Sequence, residues 1–308
     1  MPLEDAVRLW ALLGFAHVED DEVVFTEADV VALRQAQELV ELGILSAERQ
    51  AALVRTWGRS FARLADWQSS LLATVALESG ADPEEAMAAL ASEVVPRVDA
   101  LQSYVWRRHL VSAGSRRLAS ADPTAGVAAP LTVVFVDIVG YTSRSRALGE
   151  DELVAWIEGF ESETTALVAA QGGRIIKNIG DEVLFVADDP RAGLEVALEL
   201  CRRGADHDDP FPEVRAGLAH GPTVRRLGDV YGETVNIAAR LTSVARPGAV
   251  LVDRGAYEAL TGREGDGTDG SDDHDSHDGH PDFHFRRLRR LSVKGYSRLA
   301  AWSVRPRG

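Results

Sequence analysis

Residues 131–142 read LTVVFVDIVGYT, and this stretch decides the character of the second half of the chain. From Leu131 to Val139 the run is apolar on both alternating sets of positions except at Thr132 and Asp137, as in a strand buried on both faces. Asp137 ends the apolar run, and Ile138-Val139-Gly140-Tyr141-Thr142 forms a turn leading towards a helix. Such a turn can offer backbone N–H groups to a phosphate while the carboxylate holds a cation. The plain structural reading, a strand-ending aspartate used as a cap or an ion-pair partner, stays open for Asp137 taken alone.

Downstream of this strand, helices and strands alternate. Residues 149–170 place Leu153, Ile157, Phe160, Thr164 and Leu167 on one helical face. Residues 172–187, GGRIIKNIGDEVLFVA, predict two strands folded about Ile179-Gly180-Asp181. Asp189-Pro190 starts another helix; 214–221 and 249–253 are strands, 232–245 is a helix, and 285–304 is a hairpin turning near Lys294-Gly295. The order gives an α+β or α/β domain of about 175 residues. Upstream, from Leu3 to about Arg117, the periodicity is helical. Thr26 with Asp29 resembles a capping box, Ser46 is an N-cap, and Asp82-Pro83 reads as N-cap plus first helical residue. Pro96 is expected to kink the last helix or mark its start. Residues 114–130, rich in Gly, Ala, Ser and Pro, form the expected linker. The domains are therefore 1–113, helical, and 131–308.

The chain has 308 residues, 45% hydrophobic and 26% charged, enough for two domains with their own cores. Its formal net charge of -15 disfavours a general nucleic-acid binder. About half of that imbalance sits in residues 262–284, GREGDGTDGSDDHDSHDGHPDFH, which read as a solvated acidic insertion. Metal buffering and proton sensing by its four histidines are the competing readings. Cys201 is the only cysteine, which excludes a disulfide framework and suits a reducing cytoplasm. No apolar run approaches the roughly 20 residues needed to cross a bilayer, and the first residues lack a signal-peptide pattern.

Further residues carry candidate chemistry. Asp181, at a hairpin tip, supplies a second carboxylate; two acids so placed can hold two divalent ions against a triphosphate. A turn aspartate chosen for local geometry fits that position equally well. Lys177 precedes it by four residues, and Asp229 stands before the Tyr231-Gly232 turn; a strand-edge lysine and a loop aspartate are the plain alternatives. Asn236 and Arg240 are spaced i,i+4 and project from one helix face. An arginine fork suits phosphoryl oxygens and asparagine can orient a hydroxyl, although a solvated polar stripe has the same spacing.

The three segments VFVDIVGYT, GGRIIKNIGDEVLF and GDVYGETVNIAARL, in that order, resemble the catalytic domain of class III nucleotidyl cyclases. The resemblance covers 131–308 and implies a ferredoxin-like α+β fold. It also implies that Asp137 and Asp181, with Ile138, hold two divalent cations, Mg²⁺ or Mn²⁺. Gly140, Tyr141 and Thr142 would meet the phosphates, Lys177 and Asp229 would read adenine, and Asn236 and Arg240 would act on the ribose and the transition state. Lys294 resembles a family lysine that contacts the terminal phosphates. Lysine and aspartate complement adenine's N1 and exocyclic amine, whereas guanylate cyclases typically carry Glu and Cys there. The implied activity is conversion of ATP to 3′,5′-cyclic AMP and diphosphate by a homodimer whose subunits share each site. A guanylate cyclase and a silent nucleotide-binding sensor are the rivals.

The segment between His220 and Asp229 is short, as in the bacterial IIIc subclass. The helical half resembles the autoinhibitory, acid-responsive domain that precedes IIIc catalytic domains, with a plain dimerisation module as the alternative. His17 and His109 are candidate sensors there, and some relatives bind lipid in this domain. A helix-turn-helix reading of 25–46 is disfavoured because its acids outnumber its bases.

Overall fold

The computed structural model describes residues 2–16, 24–80, 82–119, 128–262, 281–293 and 296–307. Two compact units divide at Pro123 and Thr124.

The first unit contains α1 (Leu3–Leu13), α2 (Glu27–Glu41), α3 (Ala47–Glu78) and α4 (Pro83–Ala119). Its helix starts follow the local sequence closely. The Thr26 backbone N–H and hydroxyl both donate to the Asp29 carboxylate, at 2.8 and 2.7 Å. The Ser46 hydroxyl accepts from the Arg49 N–H, and the Asp82 carboxylate accepts from the N–H groups of Glu84 and Glu85. Pro96 does not begin a helix: α4 runs through it. Proline at this point has no N–H for the Ser92 carbonyl one turn back, and beside it the Arg97 guanidinium donates to the Glu93 carbonyl at 2.6 Å. Residues 114–119 continue α4 and 128–130 already belong to the next strand, so the expected linker is ordered at both ends. In this unit only Leu9, Val54 and Ala76 are buried apolar side chains among the described residues.

The second unit begins with β1 (Ala128–Ile138), followed by α5 (Tyr141–Ala147), α6 (Glu150–Ala170), β2 (Arg174–Ile179), β3 (Glu182–Ala187), α7 (Pro190–Ala205) and β4 (Val214–Arg226). It continues with β5 (Asp229–Tyr231), α8 (Glu233–Val244), β6 (Val250–Asp253), α9 (Arg254–Thr261), β7 (Phe283–Val293) and β8 (Tyr296–Pro306). The sheet order is β2-β3-β1-β4-β6-β8-β7, with β5 paired to β4. Strands β1 to β4 with their helices form the split β-α-β-β-α-β unit of ferredoxin-like folds. Among the described residues thirty-six buried apolar side chains make its core, and β1 explains why. Val134, Val136 and Ile138 face one core with Phe160, Leu194 and Leu200, while Leu131, Val133 and Phe135 face a second core with Ala238 of α8. The expected hairpin turn at Lys294-Gly295, most of the 262–284 insertion, and His17 lie outside the described residues.

Candidate active site

Asp137 is the last charged residue of β1, and register fixes its neighbours. It pairs with Glu182 of β3 on one side and Arg215 of β4 on the other, so Arg215, Asp137 and Glu182 form a row across three strands. Arg215 Nε and Nη2 both reach Asp137 Oδ2, at 2.8 and 2.7 Å. Arg215 Nη1 extends to the Ser243 carbonyl at the end of α8, at 3.4 Å. Asp181 lies in the β2–β3 turn, and its carbonyl accepts from the Ile138 N–H at 3.2 Å, which draws the hairpin tip to the end of β1. The structure thus brings Asp137, Asp181 and Ile138 together.

Burial raises the Asp137 carboxyl above its ordinary range against the pull of Arg215, and the charge of Asp181 adds to the rise. Glu182 is pushed up to about 7, first by burial and then by the charges of Asp137 and Asp181. Arg215 and Glu182 were not singled out by sequence. Their signals were present: an arginine inside the apolar strand VRAGLAHG, and an acid directly after Asp181.

The turn after β1 leaves donors open. Val139 N–H donates to the Glu213 carbonyl, but those of Gly140, Tyr141 and Thr142 find no acceptor among the described residues. Gly140 has φ 72°, a left-handed conformation that favours glycine. The Tyr141 ring stacks on Trp156 with centroids 6.0 Å apart, so the turn can present main chain at that position while the phenol stays in the packing.

Lys177 and Asp229 also meet. Lys177 Nζ lies 2.5 Å from Asp229 Oδ2, joining edge strand β2 to β5. Burial opposes ionisation of Asp229, but the Lys177 bond and the Val230 N–H outweigh it and hold the carboxyl below its ordinary range. Around this pair gather Ile179, Val224, Leu227 and Tyr231, four of the six strongly exposed large apolar side chains among the unit's described residues.

Asn236 and Arg240 are not brought to the acids. Thr234, Ala238, Leu241 and Thr242 are the buried residues of α8 and set its roll. At 100° per residue, Asn236 and Arg240 fall roughly 160–200° from Ala238, on the side away from the sheet. The close approach of α8 to β4 fixes this roll: a Cβ on Gly217 would lie 2.3 Å from the Thr242 nitrogen. Lys294 lies outside the described residues.

Among the described residues no three His, Cys, Asp or Glu side chains cluster as a metal cage. Two carboxylates with open positions instead fit a hard cation that takes its remaining oxygens from a phosphate substrate and water. No described helix is long and apolar enough to cross a membrane.

The profile described as "Adenylate and Guanylate cyclase catalytic domain" matches residues 125–305. An adenylate cyclase of Streptomyces coelicolor is 42% identical over 261 residues, covering 84% of this chain and 68% of the relative. One from Streptomyces griseus is 40% identical, covering 85% and 65%. A pH-sensitive adenylate cyclase of Mycobacterium tuberculosis is 35% identical, covering 84% and 66%. The chain spans about two thirds of the length of these relatives.

Proposed function

Because the chain belongs to the adenylate and guanylate cyclase catalytic-domain family, we propose that it is an adenylate cyclase, converting ATP to 3′,5′-cyclic AMP and diphosphate in a homodimer. The observation that carries this reading is the Lys177–Asp229 pair. It sets a donor beside an acceptor at a sheet edge, complementary to adenine N1 and its exocyclic amine and opposed to the O6 and N1–H of guanine. The relatives named adenylate cyclases support the same substrate.

Asp137 and Asp181 would hold two divalent cations, Mg²⁺ or Mn²⁺, with Ile138 offering its carbonyl. When bound, these cations lower the pKa of the ribose 3′-hydroxyl and offset triphosphate charge. The free N–H groups of Gly140, Tyr141 and Thr142 receive phosphate oxygens. Asn236 orients the ribose so that the 3′-oxygen lines up with the α-phosphorus. Arg240 offsets charge growing on the α-phosphoryl oxygens, and Lys294 receives the leaving diphosphate. Since α8 turns Asn236 and Arg240 away from their own chain's acids, the two halves of a site come from two chains. The exposed patch of Ile179, Val224, Leu227 and Tyr231 beside the base-reading pair supplies apolar area for that contact.

The helical unit restrains catalysis and responds to acidity in this reading, which the pH-sensitive relative supports. A nucleoside triphosphate substrate and one buried, unpaired thiol suit the cytoplasm. The test is incubation of purified chain with ATP or GTP and Mg²⁺ or Mn²⁺, with products separated by chromatography. Cyclic AMP from ATP is expected. Turnover of GTP in preference to ATP, or of neither with both metals, would overturn the proposal.

A further inference from the structure

The last stretch of the chain reverses its charge. From Phe283 to Gly308 it carries seven arginines, one lysine and no acid, in a protein whose formal net charge is -15. Elsewhere in the second unit arginines hold carboxylates: Arg174, Arg191, Arg202, Arg203, Arg215 and Arg254 are each ion-paired. Arg246, Arg286 and Arg305 are exposed and hold none among the described residues.

Strand register gathers these three. Phe283, Phe285, Trp302 and Val304 point into the core that holds Phe160 and Leu194, so His284, Arg286, Ser303 and Arg305 take the opposite face, the one on which α8 lies. There α8 packs through Leu241 and Ala245 on Ala301 and Leu288, and it ends at Val244. Arg305 pairs with His284 and Ser303 with Arg286, which sets Arg286 diagonal to Arg305 at roughly 7 Å. The same face continues to the candidate acids. Asp137 pairs with Arg215, the Ala216 N–H donates to the Ala249 carbonyl at 3.0 Å, and Val250 pairs with Val304. Arg305 therefore stands two strands from Arg215, about 10 Å, with only the Ala249 methyl between them. Arg246 lies in the link above that methyl, its carbonyl accepting from the Ala249 N–H at 3.0 Å. Like charges on neighbouring strands of one face repel, so this cluster does not serve the stability of the sheet; an anion is what it fits.

We propose that Arg246, Arg286 and Arg305 form a subsite for diphosphate, separate from the cation site, which receives the leaving group from the Asp137 end of the sheet. The proposal rests on the cyclase reading above, in which diphosphate is released at that end. The surroundings select a compact anion. Glu213 stands two residues before Arg215 on the outer side, and Asp282, already paired with Arg191, stands two before His284. An extended polyanion needs a longer run of uncompensated bases, whereas diphosphate concentrates its charge within the reach of three arginines. Guanidinium forks match phosphoryl oxygens in pairs and need no metal to do so. Drawing diphosphate off the cations clears them for the next nucleotide and opposes the reverse reaction.

The test is isothermal titration calorimetry of the full chain with sodium diphosphate in EDTA, where no divalent cation contributes, with inhibition of cyclic AMP formation by added diphosphate measured in parallel. Wild type is expected to bind. Arg286→Gln/Arg305→Gln is expected to bind about tenfold more weakly or worse and to raise the inhibition constant by a similar factor, with Tm level or raised because like charges have been separated. Should that pair fail to fold, Arg305→Lys keeps the charge without the fork and is expected to weaken binding several-fold. Arg202→Gln/Arg254→Gln removes the same charge from α7 and α9 and is expected to bind as wild type. No binding by wild type at about 5 mM diphosphate, undiminished binding by Arg286→Gln/Arg305→Gln, or an equal loss in the α7 and α9 variant overturns the inference. If the chain binds diphosphate through these arginines but makes no cyclic AMP, the cyclase reading falls and the subsite stands as a receiver of free diphosphate. If cyclic AMP forms and diphosphate inhibits the Arg286→Gln/Arg305→Gln chain as it does wild type, this inference falls alone.

Discussion

Mixing two inactive variants measures whether the roll of α8 divides the site between chains. Asp137→Ala removes the acid that register places between Glu182 and Arg215; Arg240→Ala removes a guanidinium that points away from the sheet. Each homodimer then lacks an essential group in both sites. In a heterodimer one site collects both defects and the other collects neither. Random exchange of equal amounts makes half the dimers mixed, each with one of two sites intact, so about a quarter of wild-type activity per chain returns. Each variant alone should fall by about three orders of magnitude, the scale of losing a principal charge-stabilising group. The assay is cyclic AMP formation after co-incubation at a concentration where subunits exchange, titrated over mixing ratio. A bell-shaped curve peaking at equal amounts is expected. A flat baseline across all ratios, with exchange verified by a tagged chain, would refute the division of the site.

Asp253 is 7% exposed and accepts from the N–H groups of Ala256 and His220. Burial pushes it up to about 6 from 3.8, so its neutral form is favoured in the fold; that contribution, about 3 kcal/mol, is full below pH 4 and lost as pH rises through 6. Asp253→Asn keeps the acceptor without the charge, and urea denaturation should show the variant gaining about 3 kcal/mol on wild type between pH 4 and 7; a constant difference would contradict this. Gly217→Ala sets a Cβ 2.3 Å from the Thr242 nitrogen and 2.5 Å from the Ala238 carbonyl. It should cost about 3 kcal/mol or more, seen as a lowered Tm, and reduce turnover by shifting α8. Lys177→Met removes the donor of the 2.5 Å pair with Asp229 and should lower kcat/KM for ATP about a hundredfold while the ATP preference over GTP shrinks; unchanged selectivity would remove Lys177 from base reading. Residues 124–308, a compact unit alone, should exceed the full chain in turnover at neutral pH if the helices restrain it.

What the sequence made legible was local. The buried strand at 131–138, the turn at Ile179-Gly180-Asp181 and the caps at Ser46, Asp82 and Asp189 each depend on a few adjacent residues, and the structure has them there. The short elements β5 and α9 were missed, being three and eight residues long with little periodicity to read. Pro96 left two readings open, a kink or a helix start, and α4 running through it removes the second. Six candidate site residues could be named from three motifs, yet nothing local reveals that Arg215, 78 positions from Asp137, would grip it. Nor does the i,i+4 spacing of Asn236 and Arg240 say which way their helix face turns. That orientation is set by Gly217 on a strand earlier in the chain.

The outward roll of α8 also bears on how output follows abundance. If a reaction centre exists only where two polypeptides meet, then at scarcity the yield of messenger rises as the square of the number of molecules made, and linearly once pairing saturates. A modest change in expression would thereby pass a threshold that no single-chain catalyst possesses, making synthesis and turnover of the protein controls on signalling in their own right.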